Sequence, residues 1–436
     1  MNQKDLKVLL IVEQCNPDWS SVPLEGYNYF QEISKLVDVT LVTHERNREA
    51  LSKHPEHKNI VYINESAFIK NYHKLVTNIA YKDKVIWPLY LTLSYPVYAE
   101  FNHKVYEQFK DKILGGKYDL VHALTPMMPR YPVKAVKVCK YTPFLLGPVN
   151  GGVPFPEGFR ETARKEYANL NFLRAIGRTL IPGYVETYKK ADRILAGSTY
   201  TLNLIKELFA IPDSKISLFY ENGISQDFFV DQKAPQNTSK VNLLFVGRLV
   251  PYKGADMVIE AISQLEPAIQ DKIHVTIVGD GSEKSHLEQM VQALNLGNIV
   301  SLVGWVSQQE TREYYRKADI FCFPSIREFG GAVVLEAMAC GLPCIVANNG
   351  GIGEYVTEET GFKIDPLSRN YLTTELTNKI KILVEEEKLR QTMSEKSIER
   401  VREFEWGEKA KKIVEIYEKM LSEKGRSSAQ QVSVLT

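Results

Sequence analysis

Short apolar runs alternate with amphipathic stretches along this chain, and the whole alternation occurs twice. In the first half the apolar runs are 8–12, 39–42, 60–63, 120–123 and 144–146, and the stretches 27–36 and 105–114 have helical periodicity. In the second half the runs are 241–246, 273–278, 299–303, 320–323 and 343–346, separated by the helical stretches 255–265, 284–294, 308–316 and 331–340. Strands that alternate with helices form parallel sheets covered on both faces. The sequence therefore predicts an α/β protein with two Rossmann-like, doubly wound parallel sheets.

A polar stretch separates the two halves. Residues 231–240 read DQKAPQNTSK, with one proline and no apolar periodicity, which is typical of a linker. We therefore predict a first domain over residues 1–232, a linker over 233–240 and a second domain over 241–405. The last stretch, 422–436, has little apolar periodicity and is predicted to be disordered.

The bulk composition is that of an ordinary globular chain of 436 residues, with 44% hydrophobic and 25% charged residues. The formal net charge is +1, so there is no global electrostatic case for a nucleic-acid partner. The five cysteines are few and odd in number, which favours a reducing cytoplasm over a disulfide-bonded exterior. No apolar run is long enough for a transmembrane helix, and the N-terminal run is too short for a signal-peptide core. We therefore expect a cytoplasmic protein.

One segment of the second half combines two acids with a pair of glycines. The apolar run 320–323 is followed by a loop that carries Glu328, then by Gly330 and Gly331, and then by a helix that contains Glu336. Free N–H groups at the start of that helix suit a phosphate. Glu336 would lie roughly 7–8 Å further along the axis, where a carboxylate can accept hydrogen bonds from a ribose. Glu328 would face whatever lies beyond the phosphate, and this is the layout of a nucleotide sugar.

Two cations follow the first strand of the second half. Arg248 and Lys253 lie between the run 241–246 and the next helix, where they can hold a diphosphate from two sides and stabilise its growing charge. Taken alone, each cation could equally be an ordinary surface charge. The presence of the two acids makes this alternative less favoured. No Asp-x-Asp sequence occurs in the chain, so we expect neither a bound metal nor a cofactor.

Taken in order, these motifs resemble those of retaining glycosyltransferases of family 4, which have the GT-B fold of two Rossmann-like domains facing across a cleft. The matching sequences are Asn222-Gly223-Ile224, Gly247-Arg248-Leu249-Val250-Pro251-Tyr252-Lys253-Gly254, Val278-Gly279-Asp280-Gly281, the Glu328-x7-Glu336 element, and Gly350-Gly351 with Glu354 and Gly361. They cover nearly all of the C-terminal half, whereas the N-terminal half matches more loosely. The resemblance implies a nucleotide-sugar-dependent hexosyltransferase whose C-terminal helix, about 406–421, packs back on the first domain.

The same resemblance assigns roles around the sugar donor. Arg248, Lys253 and Glu328 are the expected catalytic residues of the second half, and Glu336 is expected to bind the ribose. The remaining donor-binding residues are expected to be Ser325, Phe329, Gly330, Gly331, Gly247, Gly279, Trp305 and Val306, together with Gly26, which is predicted to precede the first helix and to offer backbone N–H groups. A helix cap is the alternative role for Ser325, and an ordinary strand end is the alternative for the turn at Gly279.

Acceptor-side residues are expected in the first half. The glycine-rich loop 147–152 follows a strand and contributes Asn150 and Gly151. His122 is the best catalytic candidate among the eight histidines, but relatives often carry their histidine two positions later, where this chain has Leu124. A core histidine is therefore an equal alternative for His122.

Two stretches of the first half leave surface alternatives open. The stretch 85–101 is rich in aromatic residues, and it either packs as a helical hairpin or offers a membrane-facing or acceptor-side surface. The stretch 158–193 is helical and basic, and it either forms a solvated helix face or contacts an anionic lipid or acceptor. Peripheral membrane contact therefore stays open beside a cytoplasmic location.

The predicted activity is transfer of a hexose from a UDP- or GDP-linked sugar to a hydroxyl group of a glycan, lipid-linked or small-molecule acceptor. A nucleotide-sugar epimerase of the same architecture and a non-catalytic binder of sugar nucleotides are the alternatives. A dinucleotide-dependent oxidoreductase is disfavoured, because Cys15-Asn16-Pro17-Asp18 follows the first strand where Gly-x-Gly-x-x-Gly is expected. The acids and cations come without an obvious nucleophile, and the sequence leaves open whether the acceptor attacks from the leaving-group face.

Overall fold

The computed structural model describes residues 3–80, 86–125, 127, 131–230 and 240–433. The chain falls into two units. The first contains Met1–Gly152, Asn169–Glu221 and Trp406–Thr436, and the second contains Val153–Ala168 and Asn222–Glu405. The predicted linker over 233–240 lies outside the described residues except for its last position.

Each unit is built on a parallel sheet. The strands of the first unit are β1 (Lys7–Ile11), β2 (Asp38–His44), β3 (Ile60–Ile63), β4 (Leu120–Ala123), β5 (Phe144–Val149), β6 (Arg193–Ala196) and β7 (Ile216–Leu218), in the order β3-β2-β1-β4-β5-β6-β7. Those of the second are β8 (Val241–Val246), β9 (Ile273–Val278), β10 (Val300–Gly304), β11 (Ile320–Phe323), β12 (Cys344–Ala347) and β13 (Gly361–Ile364), in the order β10-β9-β8-β11-β12-β13. All these neighbours pair in parallel, so the predicted α/β class with two Rossmann-like sheets is confirmed.

Helices connect the strands. In chain order they are α1 (Val22–Leu36), α2 (Arg48–Ser52), α3 (Ala67–Ala80), α4 (Trp87–Leu93), α5 (Tyr95–Leu114), α6 (Arg160–Lys165), α7 (Phe172–Leu180), α8 (Tyr184–Lys190), α9 (Thr199–Phe209), α10 (Ala255–Ser263), α11 (Pro267–Gln270), α12 (Lys284–Ala293), α13 (Gln308–Lys317), α14 (Ala332–Ala339), α15 (Gly351–Tyr355), α16 (Arg369–Glu385), α17 (Glu387–Val401) and α18 (Trp406–Ser433). Helix α6 and helices α10 to α17 belong to the second unit, and the others belong to the first.

Apolar side chains of the first unit form a core on each face of its sheet. On one face Leu9 of β1 shares a cluster with Phe109 of α5. On the other face Leu10 of β1 shares a cluster with Phe30 of α1 and Tyr417 of α18. Because successive side chains of a strand point to opposite faces, a strand covered on both sides is apolar throughout. This burial explains why short continuous apolar runs predicted the strands.

The segment Val153–Ala168 belongs to the second unit, although the sequence predicted a first domain that runs unbroken to residue 232. Arg327 holds this segment, because its Nε donates to the Val153 carbonyl at 2.8 Å. Asn349 Nδ2 also donates to the Pro154 carbonyl at 3.2 Å. Arg327 lies 174 positions after Val153, so no local pattern could have shown where the units divide.

The C-terminal helix is longer than predicted. Helix α18 runs from Trp406 to Ser433, whereas the sequence predicted a helix over 406–421 and disorder from residue 422. Two ion pairs fasten the extension to the first unit: Glu423 Oε2 lies 3.0 Å from Arg193 Nη2, and Lys424 Nζ lies 3.1 Å from Asp192 Oδ2. Because charged residues anchor this part of the helix, hydrophobic periodicity did not reveal it.

The stretches 85–101 and 158–193, for which the sequence left surface roles open, each form more than one helix. The described part of 85–101 forms α4 and the beginning of α5, as the predicted helical hairpin requires. The stretch 158–193 is not one helical region, because it is divided into α6, α7 and α8 before β6 begins at Arg193.

Candidate functional site

Strand β11 of the second unit ends at Phe323, and the loop after it carries the first acid of the motif. Glu328 Oε2 forms an ion pair with Nζ of Lys253, and the two side chains are only 15% and 11% exposed. The Ser325 hydroxyl donates to the same carboxylate oxygen at 3.2 Å. Each charge is largely shielded from water, so removing one would leave the other unpaired at a cost in stability. The ion pair therefore favours this arrangement of both side chains.

Ser325 is fully buried, and its hydroxyl also lies 3.3 Å from the Tyr252 carbonyl oxygen. The sequence predicted that Ser325 binds ribose or phosphate, or that it caps the next helix. Neither role fits, because the helix α14 is capped by Gly331 and the Ser325 hydroxyl is turned inward. Ser325 instead links the loop after β8 to Glu328.

The two cations come together around the ring of Tyr252. Arg248 is exposed, and its Nη2 donates to the Tyr252 hydroxyl at 2.9 Å. Lys253 Nζ lies 5.5 Å from the centroid of the Tyr252 ring and 5.0 Å from that of the Phe323 ring. A cation is attracted to a ring face at these distances. Sequence reasoning missed Tyr252 as a site residue, because an aromatic residue in a strand-end loop gives no signal of its own.

Glycines allow the Glu328 loop to pack against its neighbours. Gly331 has φ 77° at the start of α14, and a Cβ there would lie 2.3 Å from Ile352 Cγ2 and 2.9 Å from Glu328 Cγ. Gly350 faces Glu328 across a parallel β-bridge, and a Cβ there would lie 1.8 Å from the Glu328 carbonyl oxygen. The beginning of α14, where helix N–H groups and the dipole favour an anion, is thereby held directly beside Glu328.

Glu336 is the fifth residue of α14 and lies against α13. The Tyr315 hydroxyl donates to Glu336 Oε2 at 2.9 Å, and Gln308 forms a further hydrogen bond with the carboxylate. Burial raises the pKa of the Glu336 carboxyl, while these bonds and the positive charge of Arg312 oppose the rise. The carboxylate is therefore fixed by α13, through partners that the sequence did not single out.

The carboxyl ends of strands β8, β9 and β10 are joined by backbone hydrogen bonds. Gly247 N donates to the end of β9 at 3.0 Å, and Gly279 N donates to the Gly304 carbonyl at 2.8 Å. Gly279 has φ 144°, and a Cβ there would lie 1.9 Å from the Gly247 carbonyl oxygen, so this turn requires glycine. Trp305 follows β10 with 76% of its surface exposed, and Val306 is half-buried. These residues lie at the carboxyl edge of the sheet, where open α/β sheets bind ligands.

Arg327 is a further residue of this loop that the sequence did not identify. Its guanidinium carbon lies 4.9 Å from the centroid of Phe155 and 5.1 Å from that of Phe329. Burial lowers the pKa of the Arg327 guanidinium. Phe329, a predicted donor-binding residue, therefore packs on Arg327, which ties the Glu328 loop to the segment Val153–Ala168.

Gly26 of the first unit lies inside α1, and the prediction that it precedes the first helix is wrong. Helix α1 begins at Val22. A Cβ at Gly26 would lie 2.3 Å from the Gln14 carbonyl oxygen and 2.8 Å from Val12 Cγ1. Gly26 therefore lets the helix approach the end of β1 closely. The helical periodicity was recognised only from residue 27, which placed the start of the helix too late.

His122 is a fully buried residue of β4 with a partner for each ring nitrogen. Nε2 lies 2.6 Å from the Gly147 carbonyl oxygen, and Nδ1 lies 2.6 Å from the Tyr417 hydroxyl. Because a carbonyl oxygen only accepts, Nε2 carries the proton and Nδ1 accepts from Tyr417. Burial lowers the pKa of His122 to about 4. This is a neutral core histidine, the alternative that the sequence left open, and the geometry does not support a catalytic role.

The two predicted acceptor-side residues are engaged inside the first unit. Asn150 is 1% exposed, and its Oδ1 accepts from the hydroxyls of Ser198 and Thr201, each at 2.8 Å. Gly151 N donates to the Thr201 hydroxyl at 3.0 Å. These bonds tie the loop 147–152 to the start of α9. Asn150 and Gly151 therefore position the loop, and the prediction that their groups face an acceptor does not fit this burial.

Comparisons with known proteins show what the second unit is similar to. Residues 227–400 match the family model of glycosyl transferases group 1. D-inositol 3-phosphate glycosyltransferase 2 of Catenulispora acidiphila is 31% identical over 183 residues, which are 38% of this chain and 43% of that protein. An uncharacterized glycosyltransferase of Methanocaldococcus jannaschii is 30% identical over 231 residues, which are 53% of this chain and 60% of that protein. The chain thus spans about half the length of the curated relatives it matches.

Among solved structures, Anabaena HepE, crystallised in complex with UDP, superposes with a TM-score of 0.63 at 18% sequence identity, over 95% of this chain and 100% of that chain. At this level of identity the likeness concerns the fold, and it confirms the predicted GT-B class. The family match includes Arg248, Lys253, Glu328 and Glu336, the four charged residues that the sequence predicted for the site. Residues 227–400 are therefore similar to the glycosyl transferases group 1 family over about two fifths of the chain.

Proposed function

We propose that the protein is a retaining glycosyltransferase that moves a hexose from a nucleoside-diphosphate sugar to a hydroxyl group of a glycan, lipid-linked or small-molecule acceptor. The observation that carries the proposal is the Lys253–Glu328 ion pair beside the start of α14, with Glu336 one turn further along. This set offers a cation and backbone N–H groups to a diphosphate, one carboxylate to a ribose and another to the sugar.

Diphosphate binding follows from the charges at the carboxyl edge of the second sheet. Arg248 and Lys253, supported by Tyr252, would bind the phosphates from the side of β8, and the amino end of α14 would bind them from the side of β11. Negative charge builds on the diphosphate as its bond to the sugar breaks, and fixed cations stabilise that charge. We therefore propose a reaction that needs neither a metal nor a cofactor.

The nucleoside is assigned to Glu336 of α14 and to the residues that follow β10. Glu336, already fixed by Tyr315, would accept hydrogen bonds from the ribose hydroxyls. Trp305 and Val306, which follow β10, would offer backbone groups to the base. The nucleotide is UDP or GDP, and the solved complex of HepE with UDP is the reason to test UDP first.

Retention of configuration is proposed to occur without a protein nucleophile. Glu328 is paired with Lys253 and accepts from Ser325, and a carboxylate engaged in this way is a weak nucleophile. The acceptor oxygen would therefore form its bond to the anomeric carbon on the face from which the diphosphate leaves. The departing phosphate oxygen would take the acceptor's proton, so the bond made, the bond broken and the proton are all accounted for.

A panel of nucleotide sugars scored by thermal shift tests the donor. A donor present at 100 times its Kd should stabilise the protein by about 2.7 kcal/mol. Product analysis then separates the alternatives. A transferase consumes donor in proportion to added acceptor, an epimerase releases a rearranged sugar nucleotide without acceptor, and a non-catalytic binder leaves the donor unchanged.

Metal independence is tested in the same assay. Turnover is expected to survive an excess of EDTA, because Arg248, Lys253 and the start of α14 take the place of a divalent cation. Turnover that is lost in EDTA and restored by Mn²⁺ or Mg²⁺ would contradict this part of the proposal.

We also propose that the protein is cytoplasmic and contacts a membrane surface through its first unit. Among the described residues no helix has both the length and the apolar character to cross a membrane. Helices α3 and α7 both pack against α4, and each exposes a row of large apolar side chains. These are Phe68, Leu75 and Ile79 on α3 and Phe172, Ile176 and Leu180 on α7. Exposed lysines of α3, Lys70 and Lys74, would be attracted to anionic lipid.

Flotation with phosphatidylglycerol vesicles tests this contact. Replacing Phe172 and Leu180 by serine should lower the bound fraction, since both side chains are more than half exposed and would enter the lipid interface. Leu114→Ser is the control, because Leu114 is 57% exposed but lies on α5. An equal loss in the control, or no loss in the double variant, would exclude this surface.

A further inference from the structure

A separate cluster of potential metal ligands lies in the first unit, in the connection from α2 to β3. His54, Glu56 and His57 converge there within four positions of the chain. His54 Nδ1 lies 3.3 Å from Glu56 Oε1, and His57 Nε2 lies 3.8 Å from the same oxygen. The three ligand atoms all lie within 4.8 Å of one another. Two imidazoles and a carboxylate are ligands that zinc commonly takes in proteins.

A fourth oxygen faces this cluster from α1. The Tyr27 hydroxyl lies 3.3 Å from His57 Nε2, and Tyr27 is only 5% exposed. The ring of Phe30, also on α1, lies 4.7 Å from the ring of His57. The His57 side chain is itself 5% exposed, so its nitrogen is held at a fixed place beside Tyr27 and Glu56.

Three of the ligand spacings are close to those of a tetrahedral zinc site. Ligand atoms at about 2.0–2.2 Å from Zn²⁺ lie roughly 3.3–3.6 Å from one another in a tetrahedron. His54 Nδ1 lies 3.3 Å from Glu56 Oε1, His57 Nε2 lies 3.8 Å from the same oxygen, and His57 Nε2 lies 3.3 Å from the Tyr27 hydroxyl, so these separations are close to those of a tetrahedron. We propose that His54 Nδ1, Glu56 Oε1 and His57 Nε2 bind Zn²⁺, with the Tyr27 hydroxyl at the fourth position.

The place of the site in the sheet indicates what the ion does. His57 is three residues ahead of β3, and beside it a cavity of about 370 Å³ is lined by Glu56, His57 and Asn59 together with the first residues of β2. This is the amino edge of the sheet, whereas ligands of open α/β sheets bind at the carboxyl edge. The ion would therefore cross-link α1 to the α2–β3 connection and stabilise the fold, and it would take no part in the proposed sugar transfer.

Thiols do not compete for the ion. All five cysteines of the chain lie buried. A measured zinc stoichiometry would therefore report on histidine and carboxylate ligands. His286 is exposed on α12 of the second unit and serves as the matched control for the loss of a surface histidine.

The experiment is zinc binding by the full chain after removal of metal with a chelator. We expect one Zn²⁺ per chain by competition with a chromophoric chelator, a rise in Tm on adding Zn²⁺, and visible absorption of tetrahedral Co²⁺ when Co²⁺ is substituted. His54→Asn and Glu56→Gln should each weaken Zn²⁺ binding about tenfold or more and abolish the rise in Tm, because each removes a ligand. These two residues are chosen because their side chains are 34% and 58% exposed, so the variants should fold.

The control and the activity assay make the outcome decisive. His286→Asn should bind Zn²⁺ like the unaltered chain, and glycosyl transfer should be unchanged in His54→Asn. The proposal is overturned if no Zn²⁺ binds after chelator treatment, if the spectrum of bound Co²⁺ lacks tetrahedral bands, or if His54→Asn and Glu56→Gln bind Zn²⁺ as tightly as the control.

Discussion

Lys253 lies beside the Glu328 carboxylate and the rings of Tyr252 and Phe323. Arg248 donates a hydrogen bond to the hydroxyl of Tyr252. Lys253→Ala and Arg248→Ala are each expected to weaken binding of UDP tenfold or more, because a charge-assisted hydrogen bond to phosphate contributes roughly 1.5–3 kcal/mol. Isothermal calorimetry measures this affinity, and Lys272→Ala, at an exposed position of the same unit, is the control. Unchanged affinity in both site variants would remove the phosphate role from this pair.

His122 gives the first unit a defined sensitivity to acid. Burial lowers its pKa from 6.5 to about 4, so between these values the unfolded chain binds a proton that the folded chain does not. The stability linked to neutral His122 is fully present above about pH 6.5 and is lost as the pH falls towards 4, about 3 kcal/mol in total. Urea unfolding at pH 7 and pH 4.5 should therefore show a smaller loss of stability in His122→Gln than in the unaltered chain.

The exposed His286 provides the control for that measurement. His286→Asn should keep the full loss of stability on acidification, because it leaves the buried His122 and its partners unchanged. If His122→Gln loses as much stability as the unaltered chain between the two pH values, the buried histidine is not the group that titrates.

At the scale of elements, the start of α14 depends on one glycine. Gly331→Ala places a methyl group 2.3 Å from Ile352 Cγ2 in a backbone conformation, φ 77°, that alanine rarely adopts. We expect a loss of roughly 1–3 kcal/mol in stability and weaker donor binding, because α14 and the Glu328 loop must shift together. Thermal unfolding and calorimetry measure the two effects.

Gly297→Ala is the matched substitution, since nothing lies within 4 Å of a Cβ at Gly297 and its φ is not positive. It should leave both stability and donor affinity unchanged. A Gly331→Ala variant that behaves like Gly297→Ala would show that the packing of Gly331 against Ile352 is not required.

Local sequence pattern predicted most elements, because strands buried on both faces are apolar runs and the connecting helices are amphipathic. The strands β6, β7 and β13 were not identified, since β7 has only three residues and a charged residue, Arg193 or Lys363, interrupts the apolar run of β6 and of β13. The end of α18 was also missed, because the ion pairs of Glu423 and Lys424 anchor it.

The site was predicted unevenly for a related reason. Arg248, Lys253 and Glu328 could be found because charged residues at strand ends form a recognisable pattern, and the structure brings Lys253 and Glu328 together. Tyr252 and Arg327 could not, since their importance comes from partners such as Phe155 that are remote in sequence. The role of His122 was left open and that of Asn150 was misjudged, because sequence shows polarity at a strand end but not which neighbours satisfy it.

At the scale of the whole molecule, the chain passes between the two units four times, after residues 152, 168, 221 and 405. The polar stretch at 231–240 therefore does not mark the division of the fold. An exchange of residues 1–232 with a relative would also replace Val153–Ala168, which Arg327 and Asn349 hold within the second unit.

The division of labour between donor and acceptor is best tested by a chimera that respects these crossings. Residues 1–152, 169–221 and 406–436 are taken from a relative with another acceptor preference, and 153–168 stays with the second unit. Because Arg248, Lys253, Glu328 and Glu336 all remain, we expect the donor preference to be unchanged and the acceptor preference to follow the exchanged unit. Competition assays with paired donors and paired acceptors measure both preferences. Acceptor choice that stays with the second unit would show that its residues, rather than those of the first sheet, select the acceptor.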